Sequence, residues 1–222
     1  MTIKFFNDPQ KLWNLTLLLM EGAKVTLSIF FWTLLLSIPL GMLVAQGRMS
    51  KRKRLRWPVS LYIYIMRSTP LMLQILFIYF LLPMALPFRV DRFGAVIFAF
   101  VINYAAYFAE IFRSGIQSIP VGQHEAGKVL GYTKPQIFFR VVLPQVVKRV
   151  LLPVTNEVIT LIKDTALAST VAVVELMTIA KKQVSGSSSI EPYLVAILMY
   201  LALNGLTEQL CKLCERKLSY YQ

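Results

Sequence analysis

Four stretches of this chain run for most of a membrane's thickness without a charge, and no other feature restricts its fold as much. Residues 25–45 and 68–88 are each 21 uncharged residues, 93–109 is 17 and 192–207 is 16. A helix crosses the hydrocarbon core of a bilayer in about 20 residues. Inside that core each backbone N–H and C=O must be satisfied within the protein, and helices do so segment by segment. The expectation is an all-α, polytopic membrane protein with five transmembrane helices in a single domain over residues 1–222. The spans are expected at 15–45, 57–82, 93–113, 146–165 and 193–210. Hydrophobic residues make up 56% of the 222, which argues for burial in lipid and helix contacts rather than in a globular core.

The net charge of +13 would suit a nucleic-acid binder, but its distribution points elsewhere. Arg48, Lys51, Arg52, Lys53, Arg54 and Arg56 follow the first span. Arg113, Lys128, Lys134, Arg140, Lys148 and Arg149 flank the central polar segment, and Lys212, Arg216 and Lys217 lie near the C-terminus. Cations after alternate crossings mark cytoplasmic loops. This places the N-terminus outside, the C-terminus in the cytoplasm, and nucleic acid among the excluded partners. The N-terminus lacks a basic region leading into a short apolar stretch with a cleavage site, so no signal peptide is expected. Residues 1–14 read as an interfacial helix or as a frayed end.

The polar break at 119–144 is no ordinary linker. Residues 125–130 read as a short amphipathic helix with Gly131 at its C-cap, and Pro135 suits the first turn of a second helix. Ala126, Val129, Leu130, Ile137 and Phe138 form a buried-looking face. The segment carries what another protein would grip.

These residues also carry a resemblance. Glu125-Ala126-Gly127, then Gly131, then Val141-Val142-Leu143-Pro144 resembles the EAA signature of importer-type ABC transporter permeases, with Gly for the third Ala and Val for Ile. The block from Ala106 to Pro120 is similar to the polar-amino-acid branch of that family, as are Arg67-Ser68-Thr69-Pro70-Leu71 and Lys163-Asp164-Thr165-Ala166-Leu167. The likeness covers most of the chain, from about residue 15 to 206. It implies a type I ABC importer permease fold in a bacterial cytoplasmic membrane. It also implies two ATP-binding subunits that hold the coupling segment through Gly122, Glu125, Ala126, Gly127 and Gly131, with ATP and Mg bound there and no cofactor in this chain. A second permease subunit, identical or homologous, would complete the pathway, and an external binding protein would deliver the amino acid.

The chain's own chemistry agrees with a transport subunit. It has no G-x-x-x-x-G-K-[ST] loop to cradle phosphates. His124 is the only histidine, read as an exposed surface residue, so neither a His-rich metal site nor a Ser-His-Asp triad is expected. Cys211 and Cys214 read as reduced thiols on neighbouring helical turns, with a redox pair or half a metal site as the alternative.

Candidate ligand contacts come from two places. Pro70 interrupts the second span and frees carbonyls one turn back, which makes Ser68, Thr69 and Pro70 candidates for lining a cavity. The alternative is that Arg67 simply reaches the headgroups from a short helix. Glu157 and Asp164 are two helical turns apart, on one face and about 10 Å apart along the axis. That is too far for a shared proton but suits an elongated polar ligand. Two acids would favour a basic amino acid; the alternative pairs Glu157 with Lys163 of an opposing subunit. Cystine or an opine is the related substrate reading, and a small ion channel or membrane anchor is the reading from another class. Glu21 with Lys24, and Glu110 with Arg113, are spaced for ion pairs. Residues 166–174 read as a gate or re-entrant piece, and 181–189 as a flexible outer loop.

Overall fold

The computed structural model describes residues 5–85 and 91–218. Residues 1–4 of the N-terminal segment and 86–90 of the loop expected after the second span lie outside that set. The described residues form helices and the turns between them.

Helix α1 runs over Pro9–Arg48 and α2 over Lys53–Ser68. The chain breaks at Thr69 and Pro70, resumes as α3 (Leu71–Leu76), passes through a π turn at Phe77–Leu81 and ends in α4 (Leu82–Ala85). Helix α5 spans Arg92–Gln117. The polar segment contributes α6 (Val121–Val129) and α7 (Lys134–Ile137), and a second π turn at Phe138–Val142 leads into α8 (Leu143–Asp164). A 3₁₀ helix at Thr165–Val171, then α9 (Leu176–Ser187) and α10 (Glu191–Leu218), complete the order. Both π turns end two residues before a proline, Pro83 and Pro144. Each contains the residue, Tyr79 or Arg140, whose carbonyl the proline leaves without its usual donor four residues on, so the ladder shifts by one.

Among the described residues α1, α5 and α10 are long and apolar enough to cross a membrane, and a fourth span is added if the broken pair α2 and 71–81 is counted as one. Helix α8 covers 22 residues, but Lys148, Arg149, Glu157, Lys163 and Asp164 make it more polar than these.

The helices contribute to two compact units. One is built from Met1–Leu36, Thr69–Val101 and Val158–Glu208. Its core includes Leu15 and Leu19 of α1, Leu176, Ile179 and Ala180 of α9, and Val195 and Ala196 of α10. The approach of α1 to α9 is close: a Cβ on Gly22 would stand 2.8 Å from the Leu176 Cα. The fully buried Glu175 caps α9 by accepting from the Met177 and Thr178 N–H groups at 2.7 and 2.6 Å, and it accepts the Tyr200 hydroxyl at 3.0 Å. Glu191, also buried, accepts the Phe5 and Phe6 N–H groups at 2.9 Å each.

This corrects one expectation. Most of 181–189 is not a flexible loop but the second half of α9, because the Glu175 cap and three buried apolar residues stabilise a helix whose tail composition reads as linker. Most of 166–174, the stretch read as a gate or re-entrant piece, lies in the 3₁₀ helix Thr165–Val171, whose C-cap Ala172 takes a left-handed conformation (φ 56°).

The other unit comprises Ser37–Ser68, Ile102–Glu157 and Gln209–Gln222. Helices α2 and α5 are joined here by reciprocal polar contacts. The Tyr62 hydroxyl donates to the Ile102 carbonyl at 2.5 Å, and Asn103 Nδ2 donates to the Met66 carbonyl at 3.0 Å. Thr155 of α8 donates to the Glu215 carboxylate at 3.1 Å.

Candidate functional site

The polar segment is set by local capping. Helix α6 begins after Pro120, four residues earlier than its apolar pattern suggests. It ends in a Schellman turn: the Tyr132 N–H donates to the Gly127 carbonyl at 3.0 Å and the Gly131 N–H to the Lys128 carbonyl at 2.9 Å. Gly131 has φ +77°, the left-handed value that this cap requires and glycine tolerates best. Thr133 then opens α7, with its N–H and hydroxyl both donating to Gln136 Oε1, at 2.8 and 3.0 Å. Gln145 at the start of α8 donates to Gln123 Oε1 at 3.1 Å, tying α8 back to α6.

The face expected to be buried is mostly turned outward. Ala126 is exposed, as are Val129 (87%), Leu130 (70%) and Val121 (69%). Only Ile137, with Gly127 against it, is buried, and Phe138 is half-buried. Apolar periodicity predicts burial, and among the described residues nothing buries Ala126, Val129 or Leu130. His124 is half-buried rather than exposed. Glu125 and Gly122 are exposed, with open space around Gly122.

A second feature lies within the α2, α5 and α8 portions of the same unit. Arg67, Tyr107, Glu110, Arg113, Arg149 and Glu157 are among the residues lining a cavity of about 360 Å³, within the range of roughly 300–1,000 Å³ typical of small-molecule pockets. The Arg67 guanidinium lies 5.3 Å from the centre of the Tyr107 ring. Glu110 is held by Arg113 at 2.6 Å and by Arg48 at 3.4 Å, so the expected pair of Glu110 and Arg113 is in place and has a third member. Arg149 donates to the Ser118 carbonyl. Three guanidinium groups and two carboxylates therefore surround one space, which can meet both charged ends of a zwitterion.

The five expected ligand contacts are not all brought to this cavity. Glu157, half-buried, lines it. Ser68 ends α2 and is exposed, one residue beyond Arg67. Thr69, Pro70 and Asp164 belong to the other unit. Thr69 is engaged locally, its hydroxyl and carbonyl accepting from Gln74 Nε2 at 2.7 and 3.2 Å. The carbonyl freed by Pro70 is Met66's, and it is taken by Asn103. The break is thus satisfied from within, so its freed backbone groups are not simply left for a ligand. Asn103 and Gln74 were missed as partners of the break; a polar amide in an uncharged run was the available signal. Cys211 is half-buried and Cys214 exposed, both as free thiols.

Comparison with known proteins follows the same lines. Over 208 residues the chain is 36% identical to the L-cystine transport system permease protein TcyB of Bacillus subtilis (strain 168), covering 92% of this chain and 88% of that one. It is 36% identical over 217 residues to the octopine transport system permease protein OccM of Rhizobium radiobacter (94% and 89% covered). The arginine transport system permease protein ArtQ of B. subtilis (strain 168) is 33% identical over 201 residues (90% and 92% covered). Among solved structures, a chain of an amino acid ABC transporter with histidines superposes with a TM-score of 0.87 at 32% identity, covering 98% of this chain and 100% of that chain. The MetNI methionine ABC transporter in an inward-facing form shares the fold, with a TM-score of 0.74 at 21% identity and 91% and 96% covered. Residues 37–220 match the family described as the binding-protein-dependent transport system inner membrane component, and the chain belongs to that family.

Proposed function

We propose that this chain is the pathway-forming subunit of an ATP-driven importer for a polar amino acid, with a basic side chain favoured. The observation that carries the coupling half of this reading is the outward apolar face of α6. Val121, Val129 and Leu130 are 69–87% exposed beside a Schellman cap on the EAA-like residues. Apolar residues on a rigidly capped helix suit a groove on another protein. The partner is a pair of ATP-binding subunits contacting Gly122, Glu125, Ala126, Gly127 and Gly131, with ATP and Mg held there. A second permease subunit, identical or homologous, and an external binding protein complete the assembly.

For the substrate, the Glu157 cavity supplies an acceptor for an ammonium and guanidinium groups for a carboxylate. Asp164, Ser68, Thr69 and Pro70 remain candidate contacts on the sequence argument alone. Two acids on α8 favour a cationic side chain. Cystine or an opine is the second reading, supported by relatives at 36% identity named for cystine and octopine. The alternating cation clusters support five spans in a bacterial cytoplasmic membrane, N-terminus outside and C-terminus in the cytoplasm.

The test uses Val129→Asp and Leu130→Asp. Both side chains are exposed in this chain, so its own fold tolerates the change while an apolar groove on a partner does not. The ATP-binding subunits should no longer co-purify. Co-purification at the wild-type level, with amino-acid-stimulated ATPase activity intact, would sink the docking assignment.

A further inference from the structure

Residues 48–56 hold six cations, Arg48, Lys51, Arg52, Lys53, Arg54 and Arg56, and the sequence has no Asp or Glu between residues 22 and 90. Arg48 is occupied by Glu110 and Ser60. The other five are exposed, and among the described residues none of them enters an ion pair. Arg52, Lys53, Arg54 and Leu55 line a concavity of about 660 Å³. Helical spacing continues the pattern along α2. Lys53 and Arg54 lie one turn above Trp57, which is followed at helical intervals by Leu61, Tyr64 and Ile65. These four are 70%, 42%, 68% and 43% exposed.

One face of α2 therefore runs from unpaired cations, through an aromatic ring, to exposed aliphatic and aromatic side chains. That order matches the layers of a bilayer edge: phosphates, then the headgroup boundary where tryptophan is enriched, then acyl chains. A soluble acidic protein would match the cations but would leave the apolar stripe below them uncovered. We infer that this face of α2, headed by Lys51, Arg52, Lys53 and Arg54, is a contact site for anionic phospholipid, with the lipid phosphate among the cations and its chains along Trp57, Leu61 and Tyr64. The inference does not depend on which amino acid is carried.

The whole transporter complex is reconstituted in nanodiscs of one fixed mixture of phosphatidylcholine and phosphatidylglycerol. Bromine, a contact quencher, is carried on one lipid or the other in equal amount. With Trp13→Phe and Trp32→Phe in place, the signal lost on adding Trp57→Phe is the Trp57 fluorescence. Quenching from brominated phosphatidylglycerol should be at least about twofold stronger than from brominated phosphatidylcholine, and the excess should shrink at high salt. The excess should vanish when Lys51, Arg52, Lys53 and Arg54 are all changed to Gln, and persist in Lys51→Arg with Lys53→Arg. Because loss of these charges can also alter orientation in the membrane, the wild-type comparison of the two lipids stands as the primary readout. Equal quenching by both lipids overturns the proposal, as does weak quenching by both, which means that protein covers the face. Displacement of the excess by inorganic phosphate overturns it too, since the site would then be one for a soluble anion. Lipid contact is read without transport, so failure here leaves the transport role standing.

Discussion

The Asn103 side chain donates to the Met66 carbonyl at 3.0 Å, in the place of a backbone N–H that Pro70 cannot supply. Met66 is four residues before Pro70, so its carbonyl is the one a proline there leaves without an intrahelical donor. The break is thus met by a side chain of α5. Hydrogen bonds of this kind between membrane helices average about 0.6 kcal/mol and reach about 1.7. Asn103→Leu should destabilise the protein by that order. Adding Pro70→Ala, which restores the missing N–H, should reduce the cost of Asn103→Leu. Thermal unfolding of the four members of that cycle gives the coupling, and strict additivity would show that Asn103 does not act through Met66.

Gly127 and Ile137 form a second matched pair. A Cβ on Gly127 would lie 2.8 Å from Ile137 Cγ1, too close for a branched, buried side chain to absorb without moving. This accounts for Gly where the EAA-like pattern has Ala: the space is filled from α7. Gly127→Ala gains about 1 kcal/mol of helix propensity but meets overpacking of typically about 1–3 kcal/mol, so a net loss near 1 kcal/mol is expected. Combined with Ile137→Ala, the loss should be smaller than the sum of the two single changes. Hydrogen exchange of the α6 amides is the direct measurement, and faster exchange in Gly127→Ala alone is the expected result.

How far the sequence carried these relationships depends on their range. Membrane-length runs, the Gly131 cap and the Glu110–Arg113 pair are local, set by residues a few positions apart, and could be read directly. The Asn103–Met66 bond joins residues 37 apart, so nothing near Met66 announces it. Helix α9 was missed for a related reason. Glu175 stabilises its first turn only because burial and Tyr200, from another helix, hold the carboxylate in place, while the following Ser-Gly-Ser-Ser-Ser composition favours a loop reading. Val129 and Leu130 teach a third lesson. Periodicity marks an apolar face but does not say whether this chain buries it, and here both residues stay exposed. Of the candidate ligand contacts, residue type and spacing picked out Glu157, which lines the cavity, but Arg67 and Tyr107 reach the same cavity from α2 and α5, elements far apart in sequence.

Gly131 isolates backbone strain from crowding. Its φ is +77° and a Cβ there would meet nothing within 4 Å, so a substitution meets only the cost of the left-handed conformation, about 1–2 kcal/mol for ordinary residues and less for Asn. The order of retained α6 protection and of ATP-binding subunits recovered with the complex should be Gly, then Asn, then Ala, then the β-branched Val. A flat series would mean that the Schellman turn is not needed for docking.

Glu157 decides the substrate reading. It lines a cavity with Arg67, Arg113 and Arg149, so its charge has two uses to be told apart: to take the cationic side chain of a ligand, or to balance guanidinium groups within the protein. Glu157→Gln keeps the size and one acceptor oxygen but removes the negative charge. If the carboxylate meets a cationic ligand, a charge-assisted hydrogen bond worth roughly 1.5–3 kcal/mol is weakened, and transport of a basic amino acid should fall on the order of tenfold or more. A neutral amino acid such as glutamine should lose less because its side chain offers no cation. Stability and recovery of the assembled complex should stay near wild type. If Glu157 instead balances the arginines or pairs with Lys163 of a second subunit, the pattern inverts: the complex loses stability or falls apart, and whatever transport remains keeps its relative preference among amino acids. Uptake by proteoliposomes of arginine and of glutamine, each with the binding protein that delivers it, distinguishes the two outcomes.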